Sequence, residues 1–295
     1  MGFLLGIDIG TSATKALLCD EAGKVLATAS QPYQLYAPRP GWSEQAPTDW
    51  FNATLHTIAA VCKLARLRSA EISGIGLSGQ MHGSVFVGRN GRPLRRALLW
   101  NDQRTAQQCA QIERAVGGRK RLIAMVSNAA LTGFTAPKIL WVRTHQPRIY
   151  DRTHKILLPK DYIRLCLTGQ YATDVSDASG TILLDVRRRR WHHRLLARLG
   201  INPDLLPTCY ESVQITGQLT RHASRLTGIP AGTPVVAGAG DQPAGAVGTG
   251  VIRSGVVSAT IGTSGVVFAH CDQPAPNTHA NLQSFCHAVP GKWCV

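Results

Sequence analysis

The tetrapeptide Ile-Gly-Thr-Ser occurs at 9–12 and again at 261–264, each time after an apolar run that reads as a strand and before another. Four identical residues alone carry little, but the shared strand context predicts a duplicated strand–turn–strand unit and a fold made of two related halves. The first copy belongs to three short strands, Leu4–Ile9, Lys15–Cys19 and Val25–Ser30, turned through Gly10-Thr11-Ser12 and Glu21-Ala22-Gly23-Lys24, an antiparallel meander. A helix follows over Pro47–Leu64, with proline suited to its first turn and Trp50, Leu55, Ile58 and Cys62 near helical spacing. Strand-like Ile72–Leu77, Val85–Val87 and Ile156–Leu158 then mix with helix-like Arg104–Val116, Ala136–Thr144 and Pro159–Leu167, the last closed by Gly169. This mixture predicts an α/β protein with a first domain over 1–250 and only the opening of a second over 251–295. Nothing after Lys292-Trp293-Cys294-Val295 is expected to cover the edges of those last strands.

A chain of 295 residues, 44% of them hydrophobic, can bury a substantial core. Its net charge of +15 raises the question of a polyanionic partner. The densest run, Arg187–Arg190, lies between strand-like Thr181–Val186 and helix-like Trp191–Leu199, where a solvated turn is the simplest placement. No helix-turn-helix, zinc finger or aromatic RNA-binding signature accompanies it, so nucleic acid is not an expected partner. Apolar runs are broken well short of the ~20 residues that a membrane span needs. The N-terminus enters its first strand without the features of a signal peptide, so a cytoplasmic location is expected. Eight cysteines are scattered without zinc or redox spacing and read as reduced thiols.

Several segments deliver polar groups from strand ends into glycine-bounded turns. Asp8, followed by Gly10, Thr11 and Ser12, sets a carboxylate beside amides and hydroxyls, which suits a magnesium-bound polyphosphate, and Lys15 adds charge; a plain hairpin turn is the alternative. Gly262 and Thr263 repeat that turn, and two such turns would clamp phosphates from opposite sides. Asp241 ends an apolar strand in a small-residue turn at the start of a helix, and is the candidate general base or a helix cap. Gln80, Met81 and His82 give a polyol both polar partners and an apolar wall. Trp100 offers a face for a sugar ring, and Asp102 either accepts hydroxyl protons or caps the helix from Arg104.

Together these segments resemble the FGGY carbohydrate kinase family, nearest to its xylulose kinases. The resemblance rests on GIDIGTSATKALL at 6–18, GWSEQAP at 41–47, GLSGQMHG at 76–83, LLWNDQR at 98–104 and GFTAPKILW at 133–141. It continues through LLPKDYIRLCLTG at 157–169, DVSDASGT at 174–181, AGAGDQPAGAVGTG at 237–250 and IGTSGVVF at 261–268. It implies the actin/hexokinase-like (ribonuclease H-like) ATPase fold, two domains around a cleft, with the sugar held mainly by the first and adenine by the second. It implies transfer of the ATP γ-phosphoryl group to D-xylulose, giving D-xylulose 5-phosphate in pentose catabolism. Asp241 then matches the base, Asp8 the magnesium and phosphate aspartate, and both would hold Mg²⁺, through water. Met81 and His82 match the sugar-binding pair, with Gln80, Trp100, Asp102 and Gln242 as further sugar contacts. Gly10, Thr11, Ser12 and Lys15 match the first phosphate loop, Gly262 and Thr263 the second.

Gln242 departs from the asparagine common among xylulose kinases, and Met81-His82 departs from the Arg-Glu of glycerol kinases. Family members continue for roughly two hundred further residues that carry the adenine site, so this chain alone is expected to bind ATP poorly and to be nearly inactive. The alternatives are a non-catalytic sugar-binding remnant and a kinase of this family for ribulose or glycerol. The expected partners are the sugar and ATP, with no membrane, and a homodimer is the candidate assembly.

Overall fold

In the computed structural model, residues 2–261, 265–275 and 282–295 are described. The opening meander forms as β1 (Phe3–Ile9), β2 (Ala13–Asp20) and β3 (Val25–Pro32), paired antiparallel in sequence order. Alternation sends Leu5, Ile7, Ile9, Ala16 and Leu18 into the core, each no more than 2% exposed, and leaves Leu4, Asp8, Lys15 and Leu17 on the other face. Against the buried face lies α1 (Pro47–Leu64), begun by proline, with Asp49 in its first turn and Lys63 in its last. Trp50, Ala53, Thr54, Thr57, Ile58 and Val61 supply its buried stripe.

The sheet grows from the other edge of β1, where β4 (Ile72–Gly79) pairs in parallel, with Asp8 opposite Ser78 and Ile9 opposite Gly79. After α2 (Thr135–His145) and α3 (Pro159–Thr168) come β5 (Ile215–Gln218), β6 (Pro234–Val236), β7 (Ala239–Gly240) and α4 (Asp241–Gly248). The sheet order is β5-β6-β4-β1-β2-β3, and β7 pairs with β4 beyond β6. Both β6 and β7 run parallel to β4, with Gly240 opposite Gly79. A second core, built around Phe86, Leu98, Ile112, Phe134, Ile139, Leu140, Leu183 and Leu195, belongs to the helical part beside the sheet.

The strand carrying the chain into Asp241 is held from below by buried charge. Arg164 of α3 donates to the carbonyls of Val236, at 2.7 Å, and of Ala237. Lys160, fully buried, reaches Asp161 at 2.7 Å, Asp174 at 2.8 Å and Asp177 at 3.3 Å. Burial alone would disfavour its charge, but the three carboxylates outweigh it and raise Lys160 above the usual lysine range. Burial above all, with the neighbouring aspartates Asp161 and Asp174, pushes Asp177 well up against the opposing charge of Lys160. Asp174 accepts from Ser176 Oγ, which in turn accepts the amide of Gly240 at 3.2 Å.

Four expectations change. The helix expected from Arg104 begins at Ala106. The Thr181–Val186 strand shrinks to Leu184–Asp185, hairpinned onto Arg190–Trp191, so the arginine run does make a turn. That turn is not simply solvated: Arg189, with φ 55°, donates to both oxygens of Glu211 at 2.7 Å and to the Lys292 carbonyl at 2.8 Å. The last strands are also less bare than expected, because Trp293–Cys294 pairs with both Gly265–Cys271 and Phe285–Cys286. All eight cysteines are free thiols. Among the described residues no helix is long and apolar enough to cross a membrane.

Replacing Lys160 by methionine keeps the stem but leaves buried carboxylates short of a counter-charge, and removing one partner of a buried pair costs about 3–5 kcal/mol. Urea denaturation of Lys160→Met is expected to show that loss; an unchanged midpoint would contradict the balance described above.

Candidate active site

Three parallel strand ends meet where β1, β4 and β7 run out side by side, which places Asp8, Ser78 and Asp241 at one end of the sheet. Ser78 Oγ donates to Asp8 Oδ1 at 2.7 Å. Asp241 begins α4, where its carboxylate accepts the Gln242 amide at 2.8 Å. Burial, then the negative charge of Asp8, pushes Asp241 up to about 6. A carboxylate whose ionisation is opposed by a second one nearby suits a divalent cation between the two. The backbone reaches this point only with glycine: a Cβ on Gly238, at φ 68°, would lie 1.9 Å from the Leu77 carbonyl oxygen, and one on Gly240 would lie 2.6 Å from Met81 Cγ.

The first hairpin turn is held from the protein side. The Gly10 carbonyl accepts from Gln80 Nε2, at 3.2 Å, and from the Tyr33 hydroxyl, while the Thr11 carbonyl accepts from Gln45 Nε2 at 2.6 Å. Gln45 is itself held by the Trp50 indole at 3.0 Å. With the carbonyls drawn inward, the amides of Thr11 and Ser12 have no partner among the described residues and are free for an anion. The outer face of the sheet opens into a cleft of about 1090 Å³, lined by Asp8, Lys15, Ser78, Ser212, Ala244 and Val247 among others, which reaches the strands beside the hairpin turn but not Gly10, Thr11 or Ser12 themselves. A second groove, of about 1030 Å³ and lined by Arg89, Arg92 and Arg152, shares no residue with this one.

His82 is held on all sides. Its backbone is left-handed at φ 68°, and its carbonyl accepts from Lys138 Nζ at 2.9 Å and Thr135 Oγ1 at 3.0 Å. Its Nδ1 lies 2.9 Å from the Gly180 carbonyl, and its ring packs edge-on against Phe134. Burial above all, with the positive charge of Lys138, pushes His82 down to about 3 despite that carbonyl. A neutral imidazole facing a carbonyl must carry its proton on Nδ1, which leaves Nε2 as a bare acceptor suited to a sugar hydroxyl.

Other expected sugar contacts serve the frame instead. Gln80 is 1% exposed, and its amide is spent on Gly10 and Gln45. Asp102 is fully buried: it accepts the Ser43 amide at 2.7 Å and grips the Arg104 guanidinium with both oxygens. It accepts the Arg104 amide but caps no helix. Arg104 sits between the rings of Trp42 and Trp141, 3.6 and 4.9 Å from their centroids, so three of the sequence motifs meet in one structural cluster. Both corrections have one physical reason, that a buried polar group must be satisfied internally. Trp100 is 43% exposed and donates its indole N–H to Thr11 Oγ1 at 2.9 Å; Met81 lies buried beneath Gly240, and Gln242 is exposed. Gly262 and Thr263 lie outside the described residues.

Residues 3–248 match the FGGY family of carbohydrate kinases, N-terminal domain. The chain belongs to the FGGY family. It is 42% identical to a xylulose kinase of Escherichia coli over 289 residues, 98% of this chain and 58% of that one, and 39% identical to one of Bacillus subtilis over 97% of this chain and 57% of that one. A crystal structure of a xyloylose kinase from Brucella ovis superposes with a TM-score of 0.94 at 39% identity, covering 99% of this chain and 60% of that one. A xylulose kinase from Rhodospirillum rubrum superposes at 0.93 with 27% identity, over 99% of this chain and 59% of that one. The chain therefore spans somewhat over half the length of the relatives it matches.

Within this FGGY frame, sequence reasoning missed Tyr33, Gln45, Ser78, Lys138 and Gly180. Ser78 was readable from its place opposite Asp8 once β1 and β4 are paired; the others are brought in by segments distant in the chain. His82 is expected to show an Nδ1–H, Nε2-bare tautomer in ¹⁵N NMR and no titration between pH 5 and 8. A midpoint near 6.5 would show a solvated ring instead.

Proposed function

We propose that this chain carries the sugar and phosphate half of an ATP-dependent xylulose kinase, which phosphorylates D-xylulose to D-xylulose 5-phosphate in the cytoplasm. Residues 1–250 form the sugar-binding domain on this reading, and 251–295 open the nucleotide-binding one. The observation that carries the reading is Asp241, a carboxylate with its affinity for protons raised to about 6, placed next to Asp8 at the end of the sheet. Such a group is ionised at neutral pH and basic enough to take a proton from a sugar hydroxyl, a role worth ~10²–10⁴ in rate. His82 Nε2 accepts from a second hydroxyl, Met81 forms the apolar floor, and Trp100 and Gln242 border the sugar. The free amides of Thr11 and Ser12, with Lys15, hold the phosphates, and Gly262 and Thr263 would face them from the second hairpin. Asp8 and Asp241 would hold Mg²⁺ through water, and the bound ion would supply neutralisation of the phosphate charge. The similarity to xylulose kinases favours this sugar over glycerol.

Calorimetry of the chain with D-xylulose, ribulose and glycerol tests the sugar assignment, and D-xylulose is expected to bind most tightly. His82→Ala, by removing one buried acceptor, should weaken D-xylulose about tenfold or more; equal binding by the variant would remove His82 from the site. In protein long enough to turn over ATP, Asp241→Asn should lower kcat by ~10²-fold or more. Because a base works only when ionised, the parent kcat should fall as pH drops through about 6, and Asp241→Asn should lack that limb.

A further inference from the structure

We propose that Lys138 is a positioning residue for the sugar site: from α2 it holds the His82 carbonyl, and so the left-handed backbone that aims the imidazole. This rests on the reading of His82 as a sugar ligand. Lys138 is fully buried, and no carboxylate lies within ion-pair distance of its Nζ among the described residues. An ammonium so placed is costly, and stability alone would favour an apolar side chain. Burial pushes it down to about 7, with Asp102 and Cys109 opposing and Arg104 assisting that shift.

Its partners show what the amine does. Among the described residues Nζ donates to two carbonyls only, those of His82, at 2.9 Å, and Gly133. Thr135, one turn earlier on the same face of α2, donates to the same His82 carbonyl at 3.0 Å. A non-glycine residue in left-handed backbone persists only where its surroundings over-determine it. Two donors on one carbonyl, with Gly180 receiving the ring, supply that constraint. A Cβ on Gly180 would lie 2.3 Å from His82 Nδ1, so the ring sits directly on the glycine. Gly133 precedes Phe134, whose ring packs 4.7 Å from the imidazole, and a Cβ on Gly133 would lie 2.5 Å from the Trp100 carbonyl oxygen. One amine thus ties together the backbone of His82, the aromatic ring beside it and the segment touching Trp100.

Lys138→Met keeps the stem and removes the donor. Expected are a D-xylulose Kd raised about tenfold, loss of the single Nδ1–H signature of His82 in ¹⁵N spectra, and a Tm unchanged or higher, since a buried amine with no counter-ion among the described residues has gone. A purely structural lysine would instead lower Tm and leave the tautomer in place. Lys138→Gln, which retains an N–H donor, should recover the tautomer and most of the affinity. Lys138→Met with tautomer and Kd within twofold of the parent overturns the proposal. If that variant does not fold, Thr135→Val, lacking the other donor to the same carbonyl, decides: a shifted tautomer population supports the proposal, and an unchanged one overturns it. If the parent itself gives no heat with D-xylulose, the sugar reading fails, while the ¹⁵N comparison still decides whether Lys138 sets His82.

Discussion

The parallel pairing of β4 on both edges is the constraint on which the candidate site depends. With β1 on one side and β6 and β7 on the other, the ends of three parallel strands are brought to one edge of the sheet, Asp8 opposite Ser78 and Gly240 opposite Gly79. Side chains leaving those ends converge without any loop having to reach far, which is why open parallel sheets gather ligands there. The pairing also brings Asp8 near enough to Asp241 to raise its affinity for protons, so the topology itself contributes to the proton affinity of that carboxylate.

Close strand contact explains the glycines at 238 and 240, and it explains the buried charge beneath them. Backbone carbonyls of Val236 and Ala237, on the segment entering β7, need internal donors, and Arg164 supplies them. Its charge, with that of Lys160, then requires the aspartates of the 174–177 segment. The polar frame is continuous from this cluster, through Ser176 and Gly240, to Asp241. A comparable frame of Gln45, Gln80, Tyr33 and Trp50 stands behind the first hairpin, so the groups meant for a ligand are set by a larger number of groups that never meet one.

That division accounts for what was legible beforehand. The three opening strands, α1 to within its terminal residues, and the segments delivering Asp8, His82 and Asp241 follow from period, turn residues and proline placement, all local signals. Asp102 and Gln80 carry the same local mark as ligand-binding groups, a polar side chain just past a strand end, and Gln80 lies in a glycine-bounded turn as well. Only burial separates them, and burial depends on Ser43, Trp42 and Gln45, which arrive from other parts of the chain.

By itself the sequence determined the mixed α/β character, the glycine-bounded strand ends and the motif resemblance to FGGY kinases, because each depends on residues adjacent or nearly adjacent in the chain. The tertiary structure alone decided that Asp241 lies close enough to Asp8 for its affinity for protons to rise, that the Nδ1 of His82 faces the Gly180 carbonyl, and that Lys138 stands behind the His82 backbone. Each of these depends on the local dielectric and on partners from 52 or more positions away, such as Gly180 and Lys138 for His82, which pairing and packing alone bring into contact.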